Sequence, residues 1–500
     1  MNLNWLIILP LVTALAILPF KDLRQIRMIA LSGSLAQLLL SFVLLNLFLK
    51  EPEANLAGAM MFESSYAWYA PLHINLHTGI DGISLSMILL TAFVVVAGVL
   101  VSWKMEKMSR EFFFLLMLLS AGAYGYFISL DVFTMFFFLE LAVVPKFLLI
   151  GIWGSGKKEY SATKLVLMLM GASALVFVGL AGLYFNNPTG AQTFSMTALA
   201  NNPASAEVQK FFFPFAFIGF GVFTALFPFH TWVPDGHSSA PTAASMFLAG
   251  ISMKLGGYGV LRVATTIMPE AAHYYSPYII VLSAIAILYG SFATMIQTDL
   301  KYINAYSSVS HTGFVLFGVG MLTKTAIAGA VIQMVSHGLM TALFFAVIGM
   351  VYERTHTRQV EKMGGLLKTI PFISTVFVIA GLTSLGLPGF SGFVAEMMVF
   401  IGSWENAGTL HRVATIAATA SIVVTAVYIL RAVGKVIMGP VTEKAYFDFK
   451  DATWNEKAAA VLLIAGIVAI GMAPFLINNL ITPGTEAIMQ KLAQTQPPTP

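Results

Sequence analysis

The chain has 500 residues, of which 58% are hydrophobic and only 10% charged, against roughly a quarter charged in an ordinary soluble domain. A soluble globular fold is excluded, because a chain this apolar does not hide enough of its surface from water by folding. The net charge of +4 comes from 27 basic and 23 acidic residues, too even a balance for a nucleic-acid binder, and cysteine is absent, which excludes disulfides, thiolate metal sites and iron–sulfur ligation within this chain.

Windows of about twenty apolar residues recur from end to end, each long enough to cross a hydrocarbon layer roughly 30 Å thick as a helix. They predict an all-α polytopic membrane protein of about fourteen transmembrane helices, at 2–20, 28–49, 82–103, 112–130, 132–154, 161–185, 209–229, 243–266, 277–296, 302–321, 324–351, 369–402, 412–437 and 456–477. The first stretch, MNLNWLIILPLVTALAILPF, has no basic leading region and no small-residue cleavage site. It is therefore expected to be a retained span and not a signal peptide.

Basic residues near span ends are held on the cytoplasmic side. Lys21, Arg24 and Arg27 follow the first span, Lys104, Lys107 and Arg110 the third, and Lys157 and Lys158 the fifth. Lys301 follows the ninth, Arg354, Arg358, Lys362 and Lys368 the eleventh, and Lys435, Lys444, Lys450 and Lys457 the thirteenth. Every odd-numbered loop but the seventh is basic, and the intervening loops are poor in Lys and Arg, as in the acidic stretch EPEANLAGAMMFESS at 51–65. Both termini are expected on the outer side.

Two spans are interrupted. The seventh ends at ALFPFHTWVPDGHSSAPTA, where Pro228 and Pro234 are expected to stop the helix, and the twelfth contains SLGLPGFSGF, where Pro388 and its glycines break it midway. Broken backbone at membrane depth persists only where protein or a wet cavity covers it. The breaks lie five spans apart, which predicts two five-span units, the second upside down relative to the first, at 112–266 and 277–437. Residues 1–111 then hold the first three helices, and 438–500 the last helix and a tail. Inverted repeats with matched breaks point to a transport site near the midplane.

Charged and titratable residues inside these spans are the candidate site: Glu140 and Lys146 in the fifth, Lys254 in the eighth, His311 in the tenth, His337 in the eleventh and Glu396 in the twelfth, with His230 and His237 flanking the end of the seventh. A Lys or Glu at a helix centre costs about 2.5–3.5 kcal/mol on insertion scales, so each requires a reason. A row of sites that gain and lose protons supplies one. For Lys146, snorkelling to the interface is the competing explanation, and for His311 and His337 it is hydrogen bonding across helices. His73 and His77 have metal-like spacing but no third ligand, so a loop role is expected and no metal site. No phosphate-binding, dinucleotide or Ser-His-Asp motif is present.

Over most of its length the chain resembles the antiporter-like subunits of respiratory complex I (NADH-quinone oxidoreductase), and within them the M or ND-four type. The resemblance rests on FLELAVVPKFLLIGIWG, FPFHTWVPDGHSSAPTAASMFLAGISMKLGGYGVLR, QTDLKYINAYSSVSHTGF, QMVSHGLMTALFFAVIGMVYERTHTRQVEKMGGL and GLPGFSGFVAEMMVF. It implies fourteen core helices with two inverted five-helix repeats. It also implies a proton-pumping module without a cofactor of its own, driven by quinone reduction in partner subunits that hold the NADH, flavin, iron–sulfur and quinone sites. Expected partners are the L-type and N-type antiporter-like neighbours, and the expected location is a bacterial inner membrane. Glu140 matches the family's span-five glutamate, Lys254 its span-eight lysine, His311 and His337 polar residues of its central axis, and Glu396 the span-twelve glutamate that marks the M type.

One departure stands out. The family pattern VKxPLFPFHTW carries a lysine that pairs with the span-five glutamate, whereas this chain reads VFTALFPFHTW, with Phe223 in the lysine's place. Either Lys146 or Lys254 then reaches Glu140, or the module translocates poorly and relays between neighbours. Six residues along a regular helix is about 240° of rotation, which places Lys146 off Glu140's face unless Pro145 alters the helix. Alternatives to the pump are a cation/proton antiporter subunit and a structural connector.

Overall fold

A computed structural model describes residues 1–51, 59–190 and 192–494. Residues 52–58 of the acidic stretch and 495–500 of the tail lie outside the described residues. Eleven of the described helices are long and apolar enough to cross a membrane. Shorter apolar helices are Trp5–Ile17 and the two halves of an interrupted span, Pro371–Ser384 and Ser391–Trp404. The helix Leu300–Gly320 is rich in buried polar residues, among them Asn304, Ser307, Ser308, Ser310 and His311.

To this helical body the structure adds an antiparallel hairpin, Met61–Tyr69 with Ile74–Ile80. His73 lies at its turn in a left-handed backbone conformation, and His77 pairs with Glu63 at 2.9 Å. The residues after the fourteenth apolar window form a further helix, Pro474–Ala493, directly following Trp454–Met472. The ninth span begins at Pro269, earlier than its apolar window, because a proline in the first helical turn lacks only an amide that has no partner there anyway.

The sequence breaks appear where prolines and glycines demand them, with one revision. The helix Ala206–Phe223 stops well before Pro228, and Pro234 lies inside the next helix, Trp232–Ser239. In that first turn its missing amide breaks no intrahelical bond. Trp232 Nε1 donates across the break to Val222 O at 3.0 Å, which also accepts from Ala225 N at 3.1 Å. The fifth span is also interrupted, as Val132–Leu141 and Val143–Trp153, because Pro145 has no amide to give to Leu141 O.

Two helices form the axis of the bundle, Thr242–Thr265 and Lys324–Thr355, both buried along their apolar lengths. They cross at glycines: a Cβ on Gly338 would lie 2.7 Å from Gly250 O, and one on Gly250 would lie 3.3 Å from Gly338 O. Membrane helices approach this closely only through small residues. The second half of the broken helix Ser391–Trp404 packs on Lys324–Thr355 the same way, at Gly329 against Val399 N and Gly402 against Ala326 N.

Candidate functional site

The glycine crossing decides the first contact of the site. Gly338 adjoins His337 and Gly250 lies about one turn before Lys254, so the close approach brings those two side chains together. Lys254 Nζ meets His337 Nδ1 at 2.8 Å and also donates to Ala249 O. The other ring nitrogen of His337, Nε2, is buried without a partner. Lys254 lies in Met253–Gly259, flanked by the wider turns Leu248–Ser252 and Val260–Thr265. Such π segments are concentrated at functional positions.

From His337 the row continues across the bundle. Its ring centroid lies 5.4 Å from that of His311. His311 Nδ1 stands 3.4 Å from Glu396 Oε1, and Ser384 Oγ lies 3.1 Å from its Nε2. The helix break supplies the space for this carboxylate. Gly386 has φ +73°, and a Cβ there would lie 2.6 Å from Glu396 Oε2, so the interrupted backbone and the carboxylate share one small volume. Lys254, His337, His311 and Glu396 are 1%, 1%, 3% and 6% exposed, which makes them one continuous buried line of titratable groups.

Glu140 and Lys146 sit apart from this line. Lys146 is buried, which rules out snorkelling to water, and its Nζ has no hydrogen-bond partner. It faces the Phe223 ring at 5.9 Å. Glu140 and Lys146 lie on either side of the interruption at Ala142, within electrostatic reach of one another. No ion pair joins them among the described residues. Glu140 is half-buried, with Ser173 beside it and Oε1 unpartnered. Lys254 is engaged with His337 instead, so it is not the cation that faces Glu140.

His237 is fully buried with neither ring nitrogen bonded, stacked on Phe345 at 5.2 Å. It is within electrostatic reach of both Lys254 and Lys301. His230 stacks on Phe227 at 5.6 Å, near Tyr289, and does not join the row. Sequence reasoning missed three participants. Lys301, assigned to a loop, is buried and donates to Ala240 O at 2.6 Å. Gln333 Nε2 reaches His311 Nδ1 at 3.4 Å, and the buried Tyr428 hydroxyl stands among Ser307, Ser384 and Thr425 near Glu396. A polar residue one helical turn before His337, as Gln333 is, was the only signal available for these.

A many-helix membrane bundle with broken helices and a buried row of proton-exchanging side chains belongs to the class of ion-translocating membrane proteins. The model of the family described as NADH:quinone oxidoreductase/Mrp antiporter, TM matches residues 129–425, over half of the chain. NAD(P)H-quinone oxidoreductase chain 4 2 of Synechococcus sp. (strain JA-3-3Ab) is 37% identical over 86% of this chain and 81% of that one. NADH-quinone oxidoreductase subunit M of Rickettsia bellii (strain RML369-C) is 33% identical over 97% of this chain and 98% of that one. A chain of respiratory complex I from Thermus thermophilus shares the fold, with TM-score 0.89 at 24% identity over 98% of this chain and 99% of that chain. The chain belongs to the NADH:quinone oxidoreductase/Mrp antiporter membrane family, as an integral membrane protein whose relatives are named chain 4 or subunit M.

Proposed function

We propose that this chain is a proton-translocating membrane-arm subunit of a complex I-type NADH-quinone oxidoreductase, coupled to quinone reduction in other subunits. It acts as a translocase without redox chemistry of its own. With no cysteine in the chain, iron–sulfur centres fall to partners, as do the NADH, flavin and quinone sites. Its neighbours are L-type and N-type antiporter-like subunits, in a bacterial inner membrane, with both termini on the outer side. Two inverted units, 112–266 and 277–437, both contribute to the path, the first through Lys254 and the second through His311, His337 and, on its broken helix, Glu396.

The observation that carries this reading is the buried row Lys254–His337–His311–Glu396. Each member exchanges a proton, each is shielded from water, and a charge arriving at one end changes the proton affinity of the next. In the assembled enzyme in sealed membrane vesicles, Glu396→Gln is expected to lower proton uptake per quinone reduced while leaving assembly intact. Full pumping by that variant removes Glu396 from the path and favours a connector. The antiporter reading makes a different prediction, sodium–proton exchange without any electron donor or quinone-reducing partner.

A further inference from the structure

A second buried charge cluster uses none of the residues above. Asp81 caps the helix Gly82–Val101, and Arg262 lies in the last turns of Thr242–Thr265. They form an ion pair, each side chain 4% exposed. Both lie at the end of the bundle away from the basic loops: the helix that Asp81 starts runs toward Lys104, Lys107 and Arg110, and Arg262 follows Lys254 toward the opposite surface. Arg262 lies eight positions after Lys254 on the same helix.

Tyr258 lies halfway, one turn from each on the same face. Its buried hydroxyl is 2.9 Å from Ser84 Oγ and 3.3 Å from Phe127 O. Ser84 Oγ donates to Asp81 Oδ1 at 3.1 Å, and Ser84 N donates to the same oxygen at 2.9 Å. The guanidinium of Arg262 stands over the Tyr258 ring at 5.3 Å. Hydroxyls thus run without interruption from Tyr258 to the carboxylate. Asp81 Oδ2 is buried with no hydrogen-bond partner, which a helix cap by itself does not require. It is covered by the helix Pro474–Ala493, where a Cβ on Gly484 would lie 2.6 Å from it.

We propose that Asp81 is the proton-release group of this subunit on the side away from the basic loops, fed from Lys254 through Tyr258 and Ser84 and held shut by Arg262. This rests on the proton-translocating reading above. Lys254, one turn before Tyr258 on the same helix, gives one proton to the Tyr258 oxygen as Tyr258 passes its own to Ser84 and Ser84 passes its own to Asp81. Each hydroxyl gains one proton and loses one; Lys254 ends neutral and Asp81 ends as the neutral acid. A neutral acid no longer holds Arg262, the pair opens beneath the C-terminal helix, and the acid ionises to the outer water.

The test uses the complete complex in proteoliposomes, with protons translocated per quinone reduced as the readout. Tyr258→Phe keeps the ring on Arg262 and removes only the hydroxyl, and Ser84→Ala removes the bridge. Both are expected to lose this subunit's share of the proton stoichiometry while quinone reduction continues. Asp81→Asn is expected to lose it too, with Asp81→Glu retaining it. Full stoichiometry in assembled Tyr258→Phe and Ser84→Ala overturns the proposal, even where their thermal stability falls, and these two variants decide alone if Asp81→Asn does not assemble. Lys254→Met separates the two levels. If it pumps in full, the translocation reading itself falls; if it fails while the hydroxyl variants pump in full, only the release assignment falls.

Discussion

Lys146 poses the sharpest question at the scale of the residue. A lysine on an interior face of a membrane helix is expensive unless a counter-charge or water accompanies it, and this one has only the Phe223 ring at 5.9 Å and Glu140, with which it forms no ion pair among the described residues. A cation over an aromatic face recovers on the order of 1–2 kcal/mol when desolvated, less than the burial costs. Glu140 is the carboxylate whose charge acts on Lys146 and opposes the remainder of that cost. Lys146→Met is therefore expected to abolish proton pumping by the assembled complex, slowing the proton step by about a hundredfold or more, as measured by dye-reported acidification of vesicles. The double variant Lys146→Met with Phe223→Lys moves the cation to the facing helix and is expected to restore pumping. Failure of the double variant together with full activity of the single one would remove Lys146 from the mechanism.

Helix elements meet at glycines placed beside the functional groups. Gly338 adjoins His337, and Gly329 and Gly402 hold the half-helix that carries Glu396. Adding side-chain bulk at such a crossing forces two backbones apart, and overpacking of this kind costs typically about 1–3 kcal/mol. Gly338→Val is expected to lower the melting temperature of the detergent-solubilised complex and to lengthen the Lys254–His337 contact, with a larger loss of pumping than of assembly. Wild-type pumping in that variant would show that the crossing does not set the contact. The interrupted helices follow the same logic, since Gly386 leaves room for the Glu396 carboxylate that a bulkier residue would fill.

Over the whole molecule, polar ties at the basic face and glycine contacts at the opposite face fix how the peripheral helices wrap the axis. Arg354, at the end of Lys324–Thr355, donates to Glu456 at 2.8 and 3.1 Å, where Glu456 forms a capping box with Thr453. Glu456 is buried and the Arg354 side chain is 9% exposed, and removing one partner of a buried pair costs about 3–5 kcal/mol. Arg354→Met is therefore expected to destabilise the solubilised complex by that order, measured as a downward shift of its unfolding midpoint. An unchanged midpoint would mean the pair is offset by water. At the opposite face, a Cβ on Gly82 would lie 1.7 Å from Leu480 O, so the C-terminal helix is seated directly on the start of Gly82–Val101.

Much of this was legible in the sequence, because the governing physics is local. A span is recognised by its own apolar length, a break by its own proline and glycine, and an intramembrane charge by the mismatch with its neighbours. Glu140, Lys254, His311, His337 and Glu396 stood out for that reason, and the departure at Phe223 was visible in one motif. What required the tertiary structure was everything set by contact between distant segments. That Lys254 serves His337 and not Glu140, that Lys301 and Tyr428 are buried, and that Asp81 pairs with Arg262 follow from helices crossing at Gly250 and Gly338 and from the helix Pro474–Ala493 folding over the end away from the basic loops. Apolar patterning determines that a helix enters the membrane, but in lipid nearly every face of it is apolar. Which face meets which neighbour is decided only when the small residues of two helices come together.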